Sequence, residues 1–261
     1  MPKKAPLILM HGFRGNSLGV KDIATKLKLE DYEVYTPSIP PAIDIDGDGF
    51  TDETLPPEFF TKDGYADWLA DYIRKNHIER PVIIGHSMGS IIAAATAEKY
   101  PNLIADKLIL MSPISNNPPK VISNLSPLVH ILPPKIISTI TTEYLLIDRK
   151  SVNKKEIINV VNVCALQTRN KKDLRSAAKF SSKYSVADFN FKKDTAFIAG
   201  EKDRIVSKKA TLKLAEKFDA ECIFIKNAGH LINYECPDKV ADEILKFLKQ
   251  PPHSHRKTEA K

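Results

Sequence analysis

A serine, an aspartate and a histidine in this sequence stand where they could pass a proton. Ser87 lies in Gly85-His86-Ser87-Met88-Gly89, a G-x-S-x-G run. An apolar stretch (81–85) precedes it and an alanine-rich one (90–101) follows. A sharp turn from strand to helix forces its central residue into a strained backbone and brings positions two apart very close together. Only glycine fits on both sides. The hydroxyl is then held up at the amino end of a helix, where N–H groups favour negative charge. A serine hydroxyl is a weak nucleophile until a base takes its proton, and the base needs an orienting group. His230, in "KNAGHLINYE", and Asp203, in "AGEKDRIVS", fit these roles, with Glu201 a weaker rival to the aspartate. A capping or core histidine and a solvated loop acid are the plain alternatives.

The elements that must hold these residues follow from the apolar pattern. Short runs at 6–10, 32–38, 81–85, 107–112, 195–200 and 220–225 read as strands. Longer amphipathic stretches at 18–29, 62–77, 90–101, 208–218 and 236–249 read as helices, with Thr61 a candidate N-cap. Strands alternating with helices imply βαβ units and a doubly wound, mostly parallel sheet, an α/β fold. Runs such as Val82-Ile83-Ile84 are apolar throughout, as a sheet covered on both faces requires. Ligands of such sheets bind beyond the carboxyl ends of the strands. Ser87, Asp203 and His230 each follow a predicted strand, so all three are expected there.

The residues "LILMHGFRGN", "GHSMGS", "GEKDRIV" and "NAGHLINYECPDKV", in that order, resemble the α/β-hydrolase family. The likeness covers 1–112 and 194–249, which would form the hydrolase core, and leaves 113–193 as an insertion. It implies Ser87 as nucleophile, His230 as general base then acid, and Asp203 as its orienting carboxylate. It further implies an oxyanion hole built from the backbone N–H groups of Phe13 and Met88. Gly12, Gly85 and Gly89 would shape the site, and His11 would brace the loop after the first strand. No metal or organic cofactor is implied. The expected reaction is hydrolysis of carboxylic esters through an acyl-enzyme. C–C, thioester and amide cleavage or acyl transfer on the same triad are the alternatives, as is a non-catalytic binding protein of this fold. "HGFRGN" does not match the glycine-rich loop usual in proline-iminopeptidase-like members.

Two segments depart from the family pattern. From Asp44 to Glu58 there are six acids and no base, and Asp44, Asp46, Asp48, Gly49 and Asp52 match positions 1, 3, 5, 6 and 9 of a calcium loop. Leu55 stands where the bidentate glutamate belongs, so a solvated turn loop is the plainer reading and a structural Ca²⁺ site the alternative. The insertion holds an apolar, proline-broken stretch, 119–147, that predicts a helical lid and a substrate with an apolar part. Arg149 to Lys193 carries 12 Lys/Arg against 3 Asp/Glu, so the chain's net charge of +7 is concentrated there. That segment could guide an anionic substrate, a carrier protein or a membrane surface; a solvated lysine-rich face is the plainer reading.

Composition excludes other classes. With 43% hydrophobic and 27% charged residues the chain has the balance of a globular protein. It has no groove-reading motif for nucleic acid and no apolar run of the roughly 20 residues that span a membrane. The start lacks the long apolar core of a secretory signal. Cys164, Cys222 and Cys236 match no zinc spacing and read as reduced thiols. A cytoplasmic location is the expectation. The composition of 250–261 predicts a disordered tail.

Overall fold

The structure is a computed structural model that describes residues 4–42, 54–115, 144–146, 155–159 and 171–251. The acidic stretch Asp44–Asp52, most of the insertion and residues 252–261 of the tail lie outside the described residues.

Six strands form one parallel sheet: β1 (Leu7–Met10), β2 (Val34–Tyr35), β3 (Val82–His86), β4 (Lys107–Met111), β5 (Asp194–Gly200) and β6 (Glu221–Ile225), in the order β2-β1-β3-β4-β5-β6. Side chains alternate across it. Ile8, Met10, Ile83, Leu108, Leu110 and Phe197 face one core, and Leu7, Leu9, Ile84, Ile109, Met111 and Ile198 face the other. Both sets are fully buried, which is why these strands carry no polar alternation.

Helices α1 (Lys21–Leu29) and α7 (Pro237–Lys249) cover one face. Helices α2 (Lys62–Lys75), α3 (Met88–Lys99) and α5 (Lys208–Phe218) cover the other. Between them in sequence stand α4 (Lys171–Lys183), from the insertion, and the short α6 (Ile232–Glu235). Residues Met88 to Ala97 of α3 are all buried, so this helix is apolar or small on every side. Thr61 caps α2, its hydroxyl accepting from Gly64 N–H at 3.1 Å.

Several boundaries differ from the sequence reading, three of them for a clear physical reason. β2 spans two residues rather than seven, because Pro37 has no N–H to extend the ladder. Helix α3 starts at Met88 rather than Ser90: Gly89 is demanded by close packing and still sits within the helix. Ser17–Val20 forms a 3₁₀ turn before α1, capped by Asn16, whose side chain accepts from Leu18 N–H at 3.0 Å.

The winding of the sheet places the site. The chain runs from β1 outward to β2, then returns to lay β3 on the other side of β1. Met10 pairs with Gly85, so the loops leaving β1 and β3 emerge side by side at this reversal.

Lys107 fastens the end of the fold. Its Nζ donates to the carbonyls of Phe247 (2.7 Å), Leu248 (3.1 Å) and Gln250 (2.5 Å), satisfying the carboxyl end of α7. Lys107→Met keeps the stem and removes the donors. At about 1–2 kcal/mol lost, the melting temperature should fall by roughly 3–6 °C, with faster amide exchange confined to α7. An unchanged melt would mean that the contact contributes nothing.

Candidate active site

Ser87 occupies the turn between β3 and α3 with φ 51° and ψ −115°, a left-handed conformation that costs a non-glycine residue of order 1–3 kcal/mol. The surroundings impose it. A Cβ on Gly85 would overlap the Gly89 carbonyl, and one on Gly89 would lie 2.7 Å from the His11 carbonyl oxygen. Ser87 N–H donates to the Met111 carbonyl at 2.9 Å, and the buried Ser90 hydroxyl donates to the Ser87 carbonyl at 2.5 Å. The turn is thus held by the neighbouring strand and by the first turn of its own helix.

Three side chains meet at the carboxyl end of the sheet. Ser87 Oγ lies 2.9 Å from His230 Nε2, and His230 Nδ1 lies 2.8 Å from Asp203 Oδ2. Asp203 follows β5, and its other oxygen accepts from the N–H groups of Ile205 (2.7 Å) and Val206 (2.9 Å). Its side chain is fully buried. Burial alone would raise the Asp203 carboxyl. The adjacent His230 and the two backbone donors outweigh it and hold that carboxyl below the ordinary carboxylate range. An ionised Asp203 accepts from Nδ1–H, which leaves Nε2 to accept from the serine hydroxyl. Glu201 is exposed and takes no part.

The loops that carry the acid and the base are registered by main chain. Gly200, at the end of β5, lies so close to the loop before His230 that a Cβ there would run into the carbonyls of Gly229 and Ala228. Gly229 N–H in turn donates to the buried Glu235 Oε1 at 2.9 Å. Sequence reasoning missed Glu235; its signal was an acid five residues past the histidine, at the end of the short helix α6. It also passed over the partners of the His230 carbonyl, His86 and Ser112.

His11 sits below the site. Its Nδ1–H donates to the Gly12 carbonyl (2.8 Å), and its Nε2 accepts from Ile39 N–H (2.7 Å). A neutral ring satisfies both contacts. Burial holds its pKa down to about 4, against the pull of the Gly12 bond. Beside it, the backbone N–H groups of Phe13 and Met88 meet no acceptor among the described residues. Phe13 and Met88 share with Arg14, Ile39 and Leu174 a recess of about 10 Å³, room for about one water.

The described parts of the insertion lie against this end of the molecule. Leu146 and Ile157 pack on Leu231, next to His230. Arg204, next to Asp203, donates to the Tyr144 carbonyl at 2.9 Å and lies 5.5 Å from the Tyr144 ring centroid. Helix α4 is held to the core by Phe180 on Tyr65, ring centroids 4.5 Å apart. The Asp173 carboxylate accepts from Leu55 N–H at 3.1 Å. Among the described residues no group of three His, Cys, Asp or Glu could hold a metal ion, and no helix is long and apolar enough to cross a membrane. Cys222 is a half-buried free thiol, the half-buried Cys236 Sγ donates to the Ile232 carbonyl at 3.6 Å, and Cys164 lies outside the described residues.

The family model described as "Serine aminopeptidase, S33" matches residues 1–237. The chain belongs to the α/β-hydrolase family. This hydrolase is 25% identical over 258 residues to "Putative esterase/lipase 2" of Mycoplasma pneumoniae, covering 94% of this chain and 90% of that one. It is 32% identical over 114 residues to "Putative esterase/lipase 3" of the same organism, covering 44% of this chain and only 38% of that protein. Among solved structures it is similar in fold to an esterase from Exiguobacterium antarcticum, at TM-score 0.80 and 14% identity, over 96% of this chain and 94% of that one. A thermophilic esterase from Thermogutta terrifontis aligns at TM-score 0.74 and 22% identity, over 95% and 90% of the two chains.

Two buried histidines give the hydrolase a pH signature. His86, like His11, is kept neutral: burial, and after it the neighbouring His230, hold its pKa down to about 3. Both rings regain an ordinary pKa near 6.5 when the chain unfolds. Below pH 6.5 the unfolded state therefore binds protons that the folded state refuses, and stability falls as pH falls. Each withheld proton steepens the loss by about 1.4 kcal/mol per pH unit. Urea midpoints should be flat from pH 8 to 7 and drop between pH 6.5 and 5. A midpoint unchanged across that window would contradict two neutral buried rings.

Proposed function

We propose that this hydrolase cleaves carboxylic esters through an acyl-enzyme, with Ser87, His230 and Asp203 as its catalytic triad. The observation that carries the reading is the unbroken line from Asp203 through His230 to Ser87 Oγ, with both hydrogen bonds within 2.9 Å. His230 Nε2 takes the Ser87 proton as Oγ attacks the carbonyl, and Asp203 stabilises the imidazolium that forms. The N–H groups of Phe13 and Met88 receive the developing oxyanion, each worth about 3 kcal/mol of barrier. The tetrahedral adduct collapses as His230 returns the proton to the leaving alcohol. Water then repeats the sequence and releases the acid. No step calls for a metal or an organic cofactor.

The names of the two Mycoplasma pneumoniae relatives support an ester substrate. Leu174 beside the oxyanion donors, and Leu146 and Ile157 beside Leu231, favour a small molecule with an apolar part under a lid formed by 113–193. The family description favours a second reading, in which the same triad cleaves the amide of an amino-terminal residue.

A fluorophosphonate probe should label the folded protein, and Ser87→Ala should lose the label. p-Nitrophenyl esters of increasing acyl length should turn over, with Ser87→Ala and His230→Ala reduced by about 10³-fold or more and Asp203→Asn by a similar factor. Aminoacyl anilides run beside them test the second reading, and faster turnover of anilides than of any ester would replace the first. Folded protein that neither labels nor turns over an ester or an anilide would end both.

A further inference from the structure

His230 is gripped by its main chain as well as by its ring. Its carbonyl oxygen lies 3.0 Å from His86 Nε2 and 3.0 Å from Ser112 Oγ. A carbonyl has two lone pairs, and these two donors occupy both. Neither donor belongs to the loop that carries His230. His86 ends β3 and Ser112 follows β4; both are buried, and His86 stands opposite Met111 in the parallel register. Ser112 is itself tied to the next strand, its N–H donating to the Ile198 carbonyl at 2.8 Å.

We infer that His86 and Ser112 are positioning residues for His230: from the rigid centre of the sheet they set where its backbone stands, and so how its ring meets Ser87 and Asp203. The inference rests on the catalytic reading proposed above. Asp203 can fix the rotation of the imidazole through Nδ1. It cannot by itself fix the height of a loop that comes from the end of β6. The two donors supply that coordinate. Displacement of a catalytic group by about 1 Å costs of order 10²-fold in rate, so two hydrogen bonds remote from the substrate have leverage on turnover.

The chemistry of His86 suits the task. Facing a carbonyl, Nε2 must carry the hydrogen, and the ring donates while neutral. The groups it faces are His230, Asp203 and His11, and its ring centroid is 5.4 Å from that of His230. A neutral donor there holds His230 without placing a second cation beside the imidazolium formed when His230 takes the serine proton.

Two pairs of variants test the inference. His86→Gln keeps an amide donor near the Nε2 position, while His86→Leu removes it at comparable volume. Ser112→Ala deletes one oxygen, and adding it to His86→Gln leaves one donor of two. Ester turnover and the His230 ring signals in ¹⁵N NMR are read for each, at a matched melting temperature. His86→Leu and Ser112→Ala should each lower kcat by about 10-fold or more with KM within about twofold, and shift the His230 Nδ1–H signal. His86→Gln should stay within about threefold of the parent. Should His86→Leu lose its fold, Ser112→Ala carries the test. An unchanged His230 signal and kcat in folded Ser112→Ala and His86→Leu overturns the inference, as does His86→Gln impaired as deeply as His86→Leu. The NMR signal needs no turnover. A parent protein inert to fluorophosphonate therefore removes the catalytic reading of Ser87 while leaving the grip on His230 to be judged from its ring.

Discussion

The architecture depends on a single backbone contact, the approach of Gly85 to the Gly89 carbonyl across Ser87. No side chain fits between them, so the chain can turn from strand to helix within two residues. The turn places Ser87 in a left-handed conformation with its hydroxyl 2.9 Å from His230 Nε2. The cost is carried by what surrounds it: Met111 and Ser90 hydrogen-bond the turn, and α3 is buried on all sides behind it. A helix that touched solvent along one face would leave the turn free to relax outward. The apolar wrapping of α3 is thus part of how the serine is presented.

The same logic explains what could be read from the residues alone. Strands covered on both faces must be continuously apolar, which made Val82-Ile83-Ile84 and Leu108-Ile109-Leu110 recognisable. Short polar caps act on the next turn of chain, which made Thr61 recognisable. Ser87, Asp203 and His230 were legible because each sits just past a strand, and a parallel sheet gathers those points at one end. The residues that went unread act across sequence gaps of a different kind. Glu235 binds the Gly229 N–H through a loop geometry that no periodicity encodes. Ser112 is one residue beyond a strand, like Ser87, but its hydroxyl meets a carbonyl 118 positions away. Such bonds leave no pattern in a single sequence.

The insertion divides along the same line. Asp173 and Phe180 look inward from α4, and their contacts with Leu55 and Tyr65 bring that helix onto the core. Leu146, Ile157 and Tyr144 reach instead the loops that carry His230 and Asp203. The apolar composition of 119–147 pointed to a covering element, but proline breaks erase the periodicity that would give its register.

The contact of Gly200 with Gly229 separates what can change in this protein from what cannot. Where the loops after β5 and β6 touch, main chain meets main chain, with no side chain between them to be exchanged. Variation at that point has no gradual route, because any side chain at position 200 would run into the carbonyls of Ala228 and Gly229. Leu146 and Ile157 of the insertion meet those loops differently, through side chains on Leu231 that can be exchanged one at a time. The junction of the two loops is fixed by backbone, whereas the surface laid against it is open to stepwise revision.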